Sequence, residues 1–328
     1  MDRRAFMCRV AGSLLVAPLA VLAQQPTKIW RIGYLRRTSR EPADIAALRL
    51  GLRELGYVEG QNLVIDERYA DGDAARLPDL AQELVQLKVH VLAVDGGTTV
   101  SAIRNSVGAT PIVFAVGGDP VAAGLVHSLD RPGGTITGLT SFSGTLLPKR
   151  LQLLREVVLT TRVGLLFNPT NYARNPALVV GRERLIGAAR SLAIELTQVE
   201  APTPGELAGA FAKLSQAGVG AVLVDADAMF FSQRALVVEL AAKHRLPAVY
   251  AERQFADAGG LMAYAPNNPA NFRRAATYVD KILKGARPGD LPIEEPTRIE
   301  LVINLKAARA LGIAIPQPLL LRADEVIQ

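Results

Sequence analysis

VHVLAVDGGTTVSAIRNSVGATPIVFAVGGDPVAAGLV, residues Val89–Val126, is the stretch that decides the fold. It holds two short apolar runs, Val89–Val94 and Pro111–Val116, and each leads into a glycine pair. Runs of this length, bounded by glycine, read as strands buried on both faces of a parallel sheet. After the first comes Asp95-Gly96-Gly97-Thr98-Thr99, then a helical pattern of Val100, Ile103 and Val107. After the second comes Gly117-Gly118-Asp119-Pro120, then Val121, Leu125 and Val126. One device thus occurs twice: strand, glycine-acid turn, helix start. In open α/β sheets the carboxyl ends of the strands face the crevice where ligands bind. Glycine admits close approach of the backbone, and a first helical turn presents unpaired N–H groups. Thr98 and Thr99 suit a carboxylate or phosphate, and Asp119 suits an ammonium. Asp95, Thr98 and Asp119 each have a plainer reading as helix caps.

The same alternation extends in both directions. Lys28–Leu35 reads as a strand, followed by a polar loop and a helix through Leu48, Leu52 and Leu55 that Gly56 closes. Leu63–Tyr69 alternates as a strand, and Leu77, Leu80, Leu84 and Leu87 mark a helix. Thr135–Leu139 is a short strand leaving the first domain. The pattern then restarts: helix Leu146–Val157, strand Arg162–Asn168, helix Arg182–Leu192, strand Glu195–Val199, helix Pro204–Ala217. Strand Ala221–Val224, helix Leu236–His244, and strands Ala248–Tyr250 and Gly259–Tyr264 complete the second set. Helix Asn271–Leu283, a Pro-rich link, strand Arg298–Asn304 and helix Leu305–Leu311 close the chain, whose tail should fold back on an earlier domain. Strands alternating with helices imply βαβ units with right-handed crossovers. The fold class predicted is α/β, with two Rossmann-like lobes. The expected domains are residues 28–142 with about 265–290, and 143–264 with about 291–328.

The chain has 328 residues, is 49% hydrophobic and carries a net charge of +6. That length supports two cores. The basic residues are scattered and aromatics are only 5%, which argues against a nucleic-acid surface. Met1–Gln25 has a basic start (Arg3, Arg4, Arg9), an apolar centre over Leu14–Ala20 and a small-residue end at Ala23. This is the pattern of a secretory signal covering residues 1–23, with Arg3-Arg4 resembling a twin-arginine start. The single cysteine, Cys8, lies inside it, so the processed chain would have no thiol chemistry. No G-x-S-x-G, H-E-x-x-H or P-loop occurs, and His90, His127 and His244 stand far apart without carboxylates at ligand spacing. Neither an enzyme, a metal nor a cofactor is indicated. A secreted two-lobed α/β chain with polar strand-end loops reads as a binding protein.

Several segments carry a family resemblance: Gly51–Tyr57 (GLRELGY), Pro111–Phe114, Gly118–Val126 (GDPVAAGLV), Arg131–Gly138 (RPGGTITG), Tyr278–Gly285 (YVDKILKG), Leu301–Leu305 and Leu319–Val326 (LLLRADEV). With them the chain resembles the ABC-transporter substrate-binding proteins that include tryptophan and tyrosine binders. The resemblance implies a type I periplasmic-binding-protein fold, two lobes joined by three strands that close on a small ligand. It also implies a periplasmic, monomeric protein that delivers an amino acid or similar small solute to membrane permease subunits, without nucleic acid. The alternatives on the same fold are a ligand sensor for a membrane signalling protein, or binding of another small organic acid or a nucleoside-like solute.

The expected site lies between the lobes. From the first lobe come Asp95, Thr98, Thr99, Gly118 and Asp119; from the second come Asn168, Asn171, Asp225 and Glu252. Thr98 and Thr99 would hold a carboxylate, and Asp119 or Asp225 an amino group. Tyr34, Tyr250 and Tyr264 would form an aromatic wall. Arg36, Arg37 and Arg40 in the first loop would favour an anionic group or form a solvated rim.

Overall fold

A computed structural model describes residues 28–141, 146–174, 176–295 and 298–328. The expected secretory signal lies outside the described residues. The first sheet contains β1 (Trp30–Arg36), β2 (Leu63–Tyr69), β3 (Val91–Gly96), β4 (Ile112–Val116) and β5 (Ile136–Gly138), in the order β2-β1-β3-β4-β5. All its pairings are parallel. Helices α1 (Pro42–Glu54), α2 (Leu77–Gln86) and α3 (Gly97–Ile103) connect these strands.

The second sheet begins with α4 (Leu147–Val157), β6 (Arg162–Phe167), α5 (Pro169–Arg174), α6 (Pro176–Ser191) and β7 (Glu195–Glu200). It continues with α7 (Leu207–Gln216), β8 (Ala221–Val224), α8 (Ala228–Ser232), α9 (Arg234–Lys243), β9 (Ala248–Tyr250), α10 (Arg253–Asp257) and β10 (Met262–Pro266). After α11 (Asn268–Leu283) come β11 (Ile299–Asn304), α12 (Leu305–Leu311), α13 (Gln317–Leu320) and β12 (Glu325–Ile327). The strand order is β12-β11-β10-β9-β8-β6-β7. Its first five strands in chain order repeat the arrangement of the first sheet, with β11 and β12 added at one edge.

Alternation within each strand explains the layering. Ile32 and Tyr34 of β1, with Val91, Ala93 and Val113, face α1 and α11. Leu35, Leu92, Val94 and Phe114 face the opposite layer, against α2 and α3. The second sheet is covered in the same way, with Leu165, Leu223 and Ile303 on one side and Leu166, Val222 and Val302 on the other. Strands buried on both faces must be apolar throughout, hence the continuous runs seen in the sequence.

Helix α11 belongs to the first lobe although it follows a strand of the second sheet, for it packs Phe272, Ala276 and Val279 into the core of α1 and β1. The chain therefore passes between the sheets three times: after β5, after β10, and before β11. The crossings pair with one another. Thr140 N–H donates to Glu294 O (2.9 Å), and Asn267 N–H to Arg298 O (3.3 Å). Because the chain re-enters at the end from which it left, β11 runs antiparallel to β10, with Pro266 opposite Ile299.

The expected helix after Gly117-Gly118-Asp119 is absent. Asp119 and Pro120 start a turn, with Ala123 N–H donating to Asp119 O, but Gly124 adopts φ 63° and ends it after one turn. Helix α3 likewise stops at Ile103, before Val107. The repeated device is thus strand and glycine turn, with a helix on the first copy only.

Candidate ligand-binding cleft

The carboxyl ends of β1, β3, β4, β6, β8 and β9 meet around a cavity of about 170 Å3. This is the crevice where open α/β sheets bind ligands, here duplicated and face to face. The first lobe contributes Arg36, Arg37, Thr38, Asp44, Asp95, Gly96, Gly97, Thr98, Gly117 and Gly118. The second contributes Asn171, Ala226, Asp227, Ala228, Phe231, Ala251 and Glu252, while Ser141, Pro266 and Asn268 come from the crossings.

The two glycine turns are packed backbone to backbone. A Cβ on Gly96 would lie 2.8 Å from Val116 O, and one on Gly117, at φ 154°, 2.9 Å from Gly97 N. Only glycine allows that approach. The first crossing is fastened to the same turn, since Ser141 N–H donates to Gly117 O (2.7 Å) and Thr140 Oγ1–H to Gly118 O (2.9 Å).

Polar groups of the first lobe form a linked set. Arg36 donates through Nη1 to Asp44 Oδ2 and through Nε to Thr38 Oγ1 (2.6 Å). Asp95 accepts from Arg37 N–H (3.0 Å) and from the Thr99 hydroxyl (2.5 Å), tying the β1 loop to α3. Burial lifts the Asp44 carboxyl to about 6 against the pull of Arg36. Burial acts to loosen the Arg36 proton, but Asp44, Tyr34 and Asp95 together outweigh it and the guanidinium holds its proton more firmly than usual.

In the second lobe Asp227 Oδ1 caps α8, accepting from Met229 N–H (2.8 Å) and Phe230 N–H (3.2 Å). Asp225 lies behind the wall, where it accepts from the Tyr172 hydroxyl and Ala226 N–H; its burial raises its carboxyl above the usual range. Burial lifts Glu252 to about 8. Among the described residues, three polar atoms lining the cavity are buried without a hydrogen-bond partner: Asp44 Oδ1, Asp227 Oδ2 and Arg37 Nε. Orphaned buried groups of this kind call for an explanation, and a ligand supplies one. Across the cleft the lobes touch: the Arg36 guanidinium sits 5.6 Å from the centre of the Phe231 ring, and Arg234 approaches Glu41 at 4.0 Å.

Of the residues expected from sequence, the structure brings together Asp95, Thr98, Gly118, Asn171 and Glu252 on the cavity wall. Thr99, Asn168 and Asp225 are buried behind it. Thr99 holds Asp95, and Asn168 Oδ1 accepts from Thr170 N–H (3.0 Å) as a turn residue. Asp119 lines a small neighbouring recess, and its carboxylate caps its own turn at Val121 and Ala122 N–H. The three tyrosines do not line the cavity. Tyr34 packs edge-on to Tyr69 inside the first core, and Tyr250 stacks on Phe255 inside the second. Tyr264 packs on the other face of the second sheet, its carbonyl accepting from Arg150 Nε (2.8 Å). Among the described residues, the aromatic surface at the cavity is Phe231 instead. Arg36 and Arg37 line the cavity, whereas Arg40 is exposed and pairs with Glu67. Thr38, Asp44, Ser141, Asp227, Phe231 and Asn268 were not anticipated. Asp44 in the first turn of a helix has the signature of a dipole-capping residue, which masks its burial.

A family model described as ABC transporter substrate binding protein matches residues 43–327. A "Tyrosine-binding protein" of Clostridioides difficile is 24% identical over 261 residues, 79% of this chain and 74% of the relative. Among solved structures, a conserved domain protein from Vibrio cholerae superposes with a TM-score of 0.83 at 27% identity, covering 91% of this chain and all of that one. The ABC domain from Streptococcus pneumoniae in complex with L-Trp gives a TM-score of 0.82 at 23% identity, covering 92% and 100%.

Proposed function

The chain belongs to the ABC transporter substrate-binding protein family, and from that membership we propose that it captures an amino acid in the interlobe cleft and presents it to permease subunits. Members of the family are typically periplasmic or extracellular; the secretory pattern of residues 1–23 supports a periplasmic location for this chain.

The observation that carries the amino-acid reading is the pair of unsatisfied poles in one cavity. The first lobe offers Arg37 Nε, without a partner among the described residues, and Thr98 in the same cavity lining, a setting for a carboxylate. The second lobe offers Asp227 Oδ2 and Glu252, a setting for an ammonium. A zwitterion spanning the gap would hold the lobes together, since each end satisfies a different lobe. The cavity is smaller than the roughly 300–1,000 Å3 of drug-sized ligands, so the solute is small. Phe231 provides a flat apolar face, and the names of the tyrosine-binding relative and the L-Trp complex support an aromatic side chain.

The test is a thermal-shift panel of the amino acids, simple sugars, nucleosides and aromatic acids. A ligand at 100 times its Kd stabilises the closed form by about 2.7 kcal/mol, several degrees in melting temperature. L-Trp or L-Tyr should give that shift. A panel in which sugars or nucleosides stabilise and no amino acid does would overturn the reading.

A further inference from the structure

Among the described residues, four carboxyl groups and two guanidinium groups line the cavity: Asp44, Asp95, Asp227, Glu252, Arg36 and Arg37. Three of the acids are engaged, Asp44 by Arg36, Asp95 by Arg37 N–H and Thr99, and Asp227 by the start of α8. The Glu252 side chain makes no hydrogen bond or ion pair among the described residues, and it does not cap α10, which it precedes.

The charged groups around it come from every neighbouring element. Arg36 stands on β1, Asp44 on α1, Arg150 on α4, and Asp227 ahead of α8. Arg37 and Asp95 line the cavity from the first lobe. Arg36 is committed to Asp44, and Arg150 lies behind the floor, donating to Tyr264 O (2.8 Å) and reaching Ala251 O (3.5 Å). Asp44 Oδ1 and Asp227 Oδ2, both on side chains more than nine-tenths buried and without a partner among the described residues, line the same cavity from opposite lobes. Among the described residues around Glu252, acceptors therefore outnumber uncommitted donors, of which Arg37 Nε is one. Among the described residues no three His, Cys, Asp or Glu groups are gathered closely enough to hold a metal ion. A hydrogen-bond-donating organic cation would match such a set of acceptors.

Building on the amino-acid reading above, we propose that Glu252 is the specificity-determining residue of the cleft: it demands a cationic amino group on the ligand and rejects the same molecule lacking that group. The discrimination follows from the cost of sealing a carboxyl without a partner. An ammonium gives Glu252 a charge-assisted hydrogen bond; a desamino analogue leaves it orphaned in the closed cleft. Binding is also coupled to a proton. In the empty cleft Glu252 holds its proton below a pKa of about 8. As the ammonium arrives, the carboxyl O–H bond breaks, an N–H···O hydrogen bond to the carboxylate forms, and the buffer takes up the released proton. Affinity then rises with pH, by up to about tenfold per unit between roughly 5.5 and 7.5, and levels off above.

The experiment is titration calorimetry on the full chain, with each of the twenty amino acids, L-Trp and L-Tyr included, set against its desamino carboxylic acid. It is run at pH 6 in two buffers of different ionisation enthalpy, on the wild type, Glu252→Gln and Glu252→Asp. The wild type should favour the best amino acid by at least about 30-fold and release close to one proton per ligand. Glu252→Gln should cut that preference below about fivefold and abolish the release, and Glu252→Asp should retain part of both. A wild type that binds the desamino acid equally well overturns the proposal whatever the variants do. So does a folded Glu252→Gln, judged by circular dichroism, that keeps the preference and the proton release. In those two cases amino acids still bind and the wider reading survives; a panel in which no amine-bearing compound binds overturns both.

Discussion

Asp44→Ala strips a buried cation of its counter-ion, and its cost can be worked out in advance. The Arg36 and Asp44 side chains are 5% and 1% exposed. Without Asp44, the guanidinium keeps the Thr38 hydroxyl at 2.6 Å and loses its paired carboxylate. Breaking one side of a buried pair costs about 3–5 kcal/mol, whereas replacing both partners with apolar groups is often neutral. Asp44→Ala should therefore lose most of that amount. The double variant Arg36→Met, Asp44→Leu should recover to within about 1 kcal/mol of the wild type, while losing ligand affinity. The assay is supplied by the sequence: the single tryptophan, Trp30, begins β1, the strand that ends in Arg36. Its ring lies edge-on to His90 at 5.0 Å, so its fluorescence in urea reports the first lobe. With an m value of about 2 kcal/mol/M, Asp44→Ala should lower the midpoint by roughly 1.5–2.5 M. A shift below about 0.3 M, or a double variant as unstable as the single one, would refute the argument that an uncompensated buried charge dominates.

Two further changes test the packing around the cleft. Gly51→Ala places a Cβ 2.5 Å from Arg273 O and 2.8 Å from Ala276 Cβ, so α1 and α11 must part. The expected loss is about 1–3 kcal/mol, read by the same Trp30 transition. Tyr172→Phe removes a donor from buried Asp225, which keeps Ala226 N–H at 2.7 Å. The loss should be about 1–3 kcal/mol near pH 7 and smaller near pH 4, because the carboxyl, already raised by burial, then takes up a proton. Thermal melts at the two pH values check the sign.

The alternation of elements was legible because strands buried on both faces leave continuous apolar runs. Leu63–Tyr69, Ala221–Val224, Ala248–Tyr250 and Leu305–Leu311 carry the same bounds in sequence and structure. Short elements such as α8, α10 and β12 were missed, since five residues or fewer cannot display a period. Asp95, Thr98, Asn171 and Glu252, picked from strand-end loops, stand on the cavity wall. Which side chain of a loop points inward is a tertiary matter. Asp225 and Asp227 are two residues apart, yet Asp227 lines the cavity while Asp225 turns behind it to Tyr172. The tyrosines misled for the same reason: Tyr34 and Tyr250 stand on strands whose alternation sends them into the two cores.

The late return of α11 has a bearing on biosynthesis. Asn268 is added 130 residues after Gly138, the last residue of the first sheet. At ribosomal speeds of about 5–20 residues per second, that is a wait of roughly 6–26 s. Through that interval Ile45, Leu48 and Leu52 have no helix to cover them. The nascent first half is thus obliged to stay open, sticky and available to a chaperone until the second half has been made.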